Sequence, residues 1–519
     1  MTQRMRLNEG NRRWWTLGAM CFALFMIMLD NTVVNVALPS IQADLGASLS
    51  GLEWTVNIYT LTFAVLLVTG GRLGDIFGRR RMFLFGVVVF AASSAFIGFS
   101  QSEAWLVAGR AVQGLGAAFM MPATLSIITV TFPPAERGKA IGTWAGVSAL
   151  ALAIGPVVGG ALTEYVSWRA IFFLNLPVAI GAVAVTLFAT RESRDETREH
   201  AIDWPGIATL SIGLSALVLA LVEGNAWGWD SGRVLGLFAT AVVGIAGFFA
   251  IEPRVREPMV DFSLFRARTF LGANGVAFIV SFAMFAMFFF TALYMQNILG
   301  YSPIQAGVRF LPSTLMIVLI APLAGRLTDR VGPRPLIVGG LSLVTFALFL
   351  QTRIDVDTGY SLLLPAFVVM GIGMALVMSP MSTAAMNAVV PEKAGVGSGI
   401  LSMNRMVGAT FGVAAIGALF QHLAGNELSK ELAGTGVSKA QQDQVVHSLG
   451  TGGGGHMSPE VAHAARDAFI HAFSNGMWLS AGVAASGVVL ALWLIAPKKA
   501  EQPHAARQPD AAAEALPTA

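Results

Sequence analysis

Long apolar runs alternate with short polar breaks from one end of this chain to the other. Fourteen runs can be counted, near 14–38, 52–71, 81–100, 105–128, 139–162, 168–189, 206–223, 233–251, 270–296, 304–325, 335–351, 361–384, 394–419 and 474–496. A helix needs about 20 mainly apolar residues to cross a bilayer. In hydrocarbon the backbone must satisfy its own hydrogen bonds, so each run predicts a membrane helix. A β-barrel would show short alternating segments instead. The expected fold class is therefore all-α and integral to the membrane.

Composition agrees. Of 519 residues, 55% are hydrophobic and 12% charged, where a soluble domain carries about 25% charged. Length alone would suggest three or four soluble domains, and the apolar runs exclude that. The single Cys21 lies in the first run, so it forms no intrachain disulfide and is read as packing. The start, "MTQRMRLNEGNRRWW", has the basic character of a signal peptide. The run after it is too long for one, which predicts a retained first helix.

Charge placement sets the expected orientation. With the N-terminus inside and the runs alternating, inside segments hold 24 of the 33 basic residues, among them Arg72, Arg79, Arg80, Arg81, Arg137, Arg326, Arg330, Arg334 and Lys393. Outside segments hold seven, several of them in or beside one long loop, as the positive-inside rule allows. Both termini are thus expected in the cytoplasm. Arg110 and Arg405 remain, and both fall within runs.

The chain also repeats itself. Residues 71–81 read "GRLGDIFGRRR" and residues 325–334 read "GRLTDRVGPR", eight runs apart. Repeats of this kind are common in secondary transporters. They predict a 6 + 2 + 6 layout. A six-helix bundle over 1–190 is followed by a two-helix insert with its linkers over 191–268. A second six-helix bundle covers 269–496, with a long outer loop at 420–473 and a disordered tail at 497–519. Gly71, Gly78, Gly325 and Gly332 permit tight turns and close helix approach. Asp75, Arg79, Arg80 and Asp329 can bond helix ends on the inner face. A bond set present in only one packing of the halves would act as a latch. The plainer alternative is a basic turn that only fixes topology.

Some chemistry sits inside the runs. Asp30 interrupts "MCFALFMIMLDNTVVNVALP", and a charge at membrane depth costs about 2.5–3.5 kcal/mol even on a mild scale. Arg110 in "LVAGRAVQGLGAA" lies roughly 10 Å in from the outer end of run 4, and Asp30 roughly 13 Å in from that of run 1. Similar depth allows them to meet, as a proton or substrate path or as a static buried pair. Gly155, Pro156, Gly159 and Gly160 in "ALAIGPVVGGAL" allow close packing and a bend. Asn31, Asn35, Asn57, Tyr59, Gln113, Gln296, Asn387 and Arg405 are the polar groups expected to face a substrate cavity. The histidines of 420–473 match no metal-binding spacing. The chain has no P-loop, nucleophile elbow or zinc signature, which argues against ATP drive and against an enzyme.

The motifs together resemble the fourteen-span drug–proton antiporters of the major facilitator superfamily, over nearly the whole chain. "LDNTVVNVALP" (29–39) is similar to that group's first-helix signature, and "GRLGDIFGRRR" to the superfamily's inner-loop signature, with Ile76 where a basic residue is usual. "RAVQGLGAA" (110–118), "GPVVGG" (155–160), "WRAIFFLNLP" (168–177) and "DWPG" (203–206) also look like the group. The resemblance implies export of small organic compounds from a bacterial cytoplasm, driven by a proton gradient with no cofactor. By matched position it makes Asp30 a proton site and Arg110 its relay partner. The expected partners are a small molecule, protons and the bilayer, with no nucleic acid, and the chain is expected to act as a monomer. Lipid or glycolipid export is the nearest alternative, and a receptor or scaffold without transport the next.

Overall fold

In the computed structural model the described residues are 9–47, 49–194, 202–255, 258–356, 358–432, 437–438, 441–442, 445–446 and 459–497. Among them fourteen helices are long and apolar enough to cross a membrane. They are α1 (Glu9–Leu45), α2 (Leu49–Phe77), α3 (Arg79–Gly98), α4 (Glu103–Thr131) and α5 (Pro134–Tyr165). α6 (Trp168–Ala189) completes the first half. α7 (Trp204–Trp227) and α8 (Gly232–Ile251) follow. The second half is α9 (Arg268–Leu293), α10 (Pro303–Val331), α11 (Pro333–Gln351), α12 (Tyr360–Asn387), α13 (Ala394–Glu431) and α14 (Pro459–Leu494). Each apolar run became one helix, because in lipid no other local structure closes the backbone's hydrogen bonds.

Polar residues set the helix starts. Ser302 and Gln305 form a capping box at α10, and Asp203 accepts a bond from Gly206 N at 2.8 Å to open α7. Between α2 and α3 the chain turns at Gly78, and between α10 and α11 at Gly332, with φ of 108° and 88°. Only glycine adopts that backbone without strain.

In the first half, α2 and α3 pack on α4, and α1 packs on α5 and α6. In the second half, α9 packs on α13, α11 on α12, and α14 on α9, α11 and α13. The halves meet along two seams, α2 with α13 and α5 with α10. α7 and α8 pair with each other, and α7 rests on both α2 and α13. α4 is the most enclosed of the fourteen spans and α8 the least.

One expectation is corrected. Much of the predicted loop 420–473 is helix: α13 runs on to Glu431 and α14 begins at Pro459. The extensions carry good helix formers. They also share a buried face in which the Phe420 and Phe469 rings meet edge-on at 5.1 Å beside Ala424, Leu428 and Ala468. The expected tail lies outside the described residues, apart from Pro497.

Candidate functional site

Two clusters emerge. For direction, the end of the bundle that carries the two repeated loops is called the basic face.

The first cluster is buried among five helices of the first half. Asp30 on α1 and Arg110 on α4 do meet. Arg110 Nη1 donates to Asp30 Oδ2 at 2.5 Å and to Gln113 Oε1 at 2.6 Å, and its Nε donates to the Thr55 carbonyl of α2 at 3.1 Å. Gln113 Nε2 donates to Asp30 Oδ1 at 2.9 Å and to Ser94 Oγ of α3 at 2.8 Å. Asn175 of α6 donates to the same two atoms at 3.3 and 3.2 Å. The guanidinium lies 4.1 Å from the centroid of the Tyr59 ring. Asp30 is 2% exposed and Arg110 1%, so the pair is desolvated and depends on these bonds. Charge-assisted bonds at such depth are strong, and loss of either partner leaves a buried charge alone.

α5 holds this cluster from outside. A side chain on Gly155 would strike Thr32 of α1, and one on Gly159 would press on Val33 at 2.8 Å. Both contacts follow directly after Asp30 in the chain. Gly160 is less confined, with Val36 at 3.9 Å, and the Pro156 side chain lies outside the described residues.

The second cluster joins the halves at the basic face. Asp75 at the end of α2 accepts Gly395 N and Val396 N, the first turn of α13, at 2.9 Å each. Arg79 donates Nε and Nη2 to Asp75 Oδ1 at 2.9 and 2.6 Å. The same Nη2 reaches the carbonyls of Pro391 and Glu392 at 2.6 and 2.9 Å. In the other copy Asp329 of α10 accepts Gly138 N and Lys139 N, in the second turn of α5, at 2.9 and 3.1 Å. At the start of α13 the Asp75 carboxylate meets free N–H groups and the positive end of the helix dipole. Gly71 and Gly325 make the approach possible, since a Cβ on either would run into the carbonyl of Gly395 or Gly138. Farther from the basic face the seam relaxes: a Cβ on Gly146 would meet the Val318 carbonyl at an ordinary 3.5 Å.

The linkers around α7 and α8 fasten onto this closure. Glu192 accepts Arg80 N and Arg81 N at 3.0 and 3.2 Å, while Arg80 Nη2 donates to the Leu187 carbonyl at 3.2 Å. Asp261 forms an ion pair with Lys393 just before α13, and Met259 lies against Thr69 of α2. Burial pushes the Asp261 carboxyl up, but the bonds from Lys393 and Ser263 outweigh it and hold the group well below the usual carboxylate range. At the opposite face, hydrogen bonds from Arg169 and then Trp168 lower the Asp44 carboxyl, tying the end of α1 to the start of α6.

The expected cavity residues divide. Tyr59 and Gln113 are fully buried members of the Asp30 cluster, because helical spacing turns them toward Arg110 and not toward open space. Asn387 ends α12 at the basic face and accepts from Arg137 of α5 at 3.0 Å, which places it with the latch. Gln296 lies in a π-turn, Tyr294–Ile298, beyond α9 at the opposite face. Asn31 is half-buried and donates to the Ile27 carbonyl at 2.9 Å, and Asn57 is half-buried on α2. The Asn35 side chain lies outside the described residues. Arg405 is half-buried about a third of the way along α13.

Sequence reasoning missed Asn175, Ser94 and the receiving ends of the latch. The last had a signal: "ERGKAIG" (136–142) and "EKAGVGSG" (392–399) are alike and each follows a Pro-containing turn. It also found no metal pattern among the outer histidines. The fold brings Glu431, His463 and Asp467 together with ligand atoms within 4.8 Å of one another, His463 Nδ1 and Asp467 Oδ2 being 2.7 Å apart.

Comparison with known proteins bears on this geometry. The profile of the Major Facilitator Superfamily matches residues 20–413. The chain is 38% identical to the tetracenomycin C resistance and export protein of Streptomyces glaucescens, over 80% of this chain and 77% of that protein. It is 38% identical to a puromycin resistance protein of Streptomyces alboniger, over 78% and 81%. Its fold is similar to that of the human organic anion transporter MFSD10, with a TM-score of 0.59 over 91% of this chain and 99% of that one, at 15% identity.

Proposed function

The chain belongs to the Major Facilitator Superfamily of multi-pass membrane transporters, and from that premise we propose that it exports small organic compounds in exchange for protons. Relatives named for antibiotic resistance and export support the direction of transport. The basic face is the cytoplasmic one, with both chain ends there, since basic residues concentrate on that side. Residues 1–190 and 269–496 form the two moving bundles, and the insert of 191–268 travels with the α2–α13 seam. In the state described here the bundles are joined at the cytoplasmic side, so substrate exchanges with the outside.

The observation that carries the coupling is the sealed Asp30–Arg110 pair. A proton on Asp30 removes the charge that holds Arg110 and converts an acceptor to a donor. Every bond in the five-helix cluster must then readjust. A ligand can shift the packing only through such a difference between states. Asp30 takes its proton from outside as substrate leaves, and gives it up inside as substrate loads.

Substrate-induced proton release in purified, reconstituted protein tests this. Asp30→Asn should abolish uphill, proton-driven export while the protein still inserts, and Asp30→Glu should keep part of it. Proton release by Asp30→Asn at the native ratio to substrate would reduce the pair to a structural one.

A further inference from the structure

Arg405 lies on α13 eleven residues beyond Ala394, about 16 Å along the helix and so near mid-depth of a hydrocarbon layer about 30 Å thick. Its direction follows from its neighbours. Ser398, two turns nearer the basic face and on the same side of α13, donates to the Pro122 carbonyl of α4 at 2.7 Å. That side of α13 therefore faces the first half. α9 borders the same side: Asn404 donates to Asn274 at 3.1 Å, and Gly408 and, two turns beyond Arg405, Gly412 lie against the backbone of Phe278 and Phe282, so Arg405 sits where α9 and the first half meet. Arg405 thus points between the bundles, above the level at which they close.

Its chemistry is unlike that of Arg110 and Arg79. Arg110 and Arg79 each hold a carboxylate. Among the described residues Arg405 has no carboxylate, carbonyl or aromatic partner, and its guanidinium nitrogens are not sealed. The acidic residues of its own helix lie near the far end, at Glu427 and Glu431. With Asp30 and Arg110 cancelling, Arg405 adds a positive charge between the bundles. A planar guanidinium there offers paired donors to an oxyanion.

We propose that Arg405 is an anion-recognising group of the transport path, taking the carboxylate or ionised phenol of the exported compound. This rests on the export reading and narrows its substrate class. It also has an electrical consequence. Each anion leaving against n protons entering carries n + 1 positive charges inward, so a membrane potential negative inside assists the exchange directly.

Two dyes on one xanthene core test this in proteoliposomes under an imposed proton gradient: anionic carboxyfluorescein and cationic rhodamine 6G. Arg405→Gln should slow carboxyfluorescein by about ten- to a hundredfold, the range for losing hydrogen bonds to a charged group. Rhodamine 6G should be spared, which also shows that the variant is folded. Arg405→Lys should retain part of the carboxyfluorescein transport. Equal loss of both dyes in Arg405→Gln would make Arg405 a structural residue and overturn the inference. Wild-type transport of rhodamine 6G without carboxyfluorescein would overturn it as well, leaving export intact. Wild-type protein that moves neither dye would overturn the export reading and this inference with it.

Discussion

Asp75 and Asp329 hold matching places in the two halves, and each accepts two backbone N–H groups near the start of a helix from the other half. Their surroundings differ. Asp75 is fully buried and shares its charge with buried Arg79, which also ties down two carbonyls. Asp329 is half-buried, and Pro333 stands where the first copy has Arg79. One seam is thus closed around a fully desolvated carboxylate and the other around a wetter one. Buried pairs are intolerant of losing one member, whereas exposed ones are screened. The α2–α13 seam should therefore open abruptly and the α5–α10 seam yield gradually.

Spin labels at lipid-facing Phe85 on α3 and Leu327 on α10 report closure through the distance between halves. The largest effect is expected for Asp75→Ala, which strands Arg79 and should disfavour the closed state by about 3–5 kcal/mol. Arg79→Gln comes next, at about 1.5–3 kcal/mol in all: it gives up charged hydrogen bonds, but Asp75 keeps the two N–H groups of its helix end. Asp329→Ala should cost about 0.5–1.5 kcal/mol, the net range for a hydrogen bond in a partly exposed setting. Equal shifts for the Asp75 and Asp329 variants would erase the distinction between the seams. The smallest effect should come from pH acting on the Asp261–Lys393 contact. Asp261 titrates lower folded than unfolded, so its contribution is fully present above the usual value of about 3.9 and fades only as pH falls through the lowered one. Closure should not vary through this contact between pH 5 and 8, and Asp261→Asn should remove its contribution equally across that window.

The helices were legible because lipid leaves an apolar run a single way to satisfy its backbone. The two loops were legible because they repeat, and the Asp30–Arg110 contact because helical rise converts residue number into depth. What depth alone did not give was azimuth. Tyr59, Gln113 and Asn387 were assigned to a cavity on polarity, but rotation about their helices turns the first two inward and the third toward Arg137. Asn175 carries no charge and no motif of its own, and only the packing of α6 on α1 brings it to Asp30. The extension of α13 to Glu431 was hidden because its polar face resembles loop sequence, and the partner for its buried face lies on α14.

The insert makes the molecule lopsided toward the lipid. α7 lies over both α2 and α13 and so roofs one seam between the halves. Beside the other seam, α10 shows Leu315, Leu319 and Leu323 to the outside, and α5 shows Leu150 and Val157. A compound dissolved in the bilayer therefore meets a guarded flank and a bare one, and any sideways passage would have to use the α5–α10 flank.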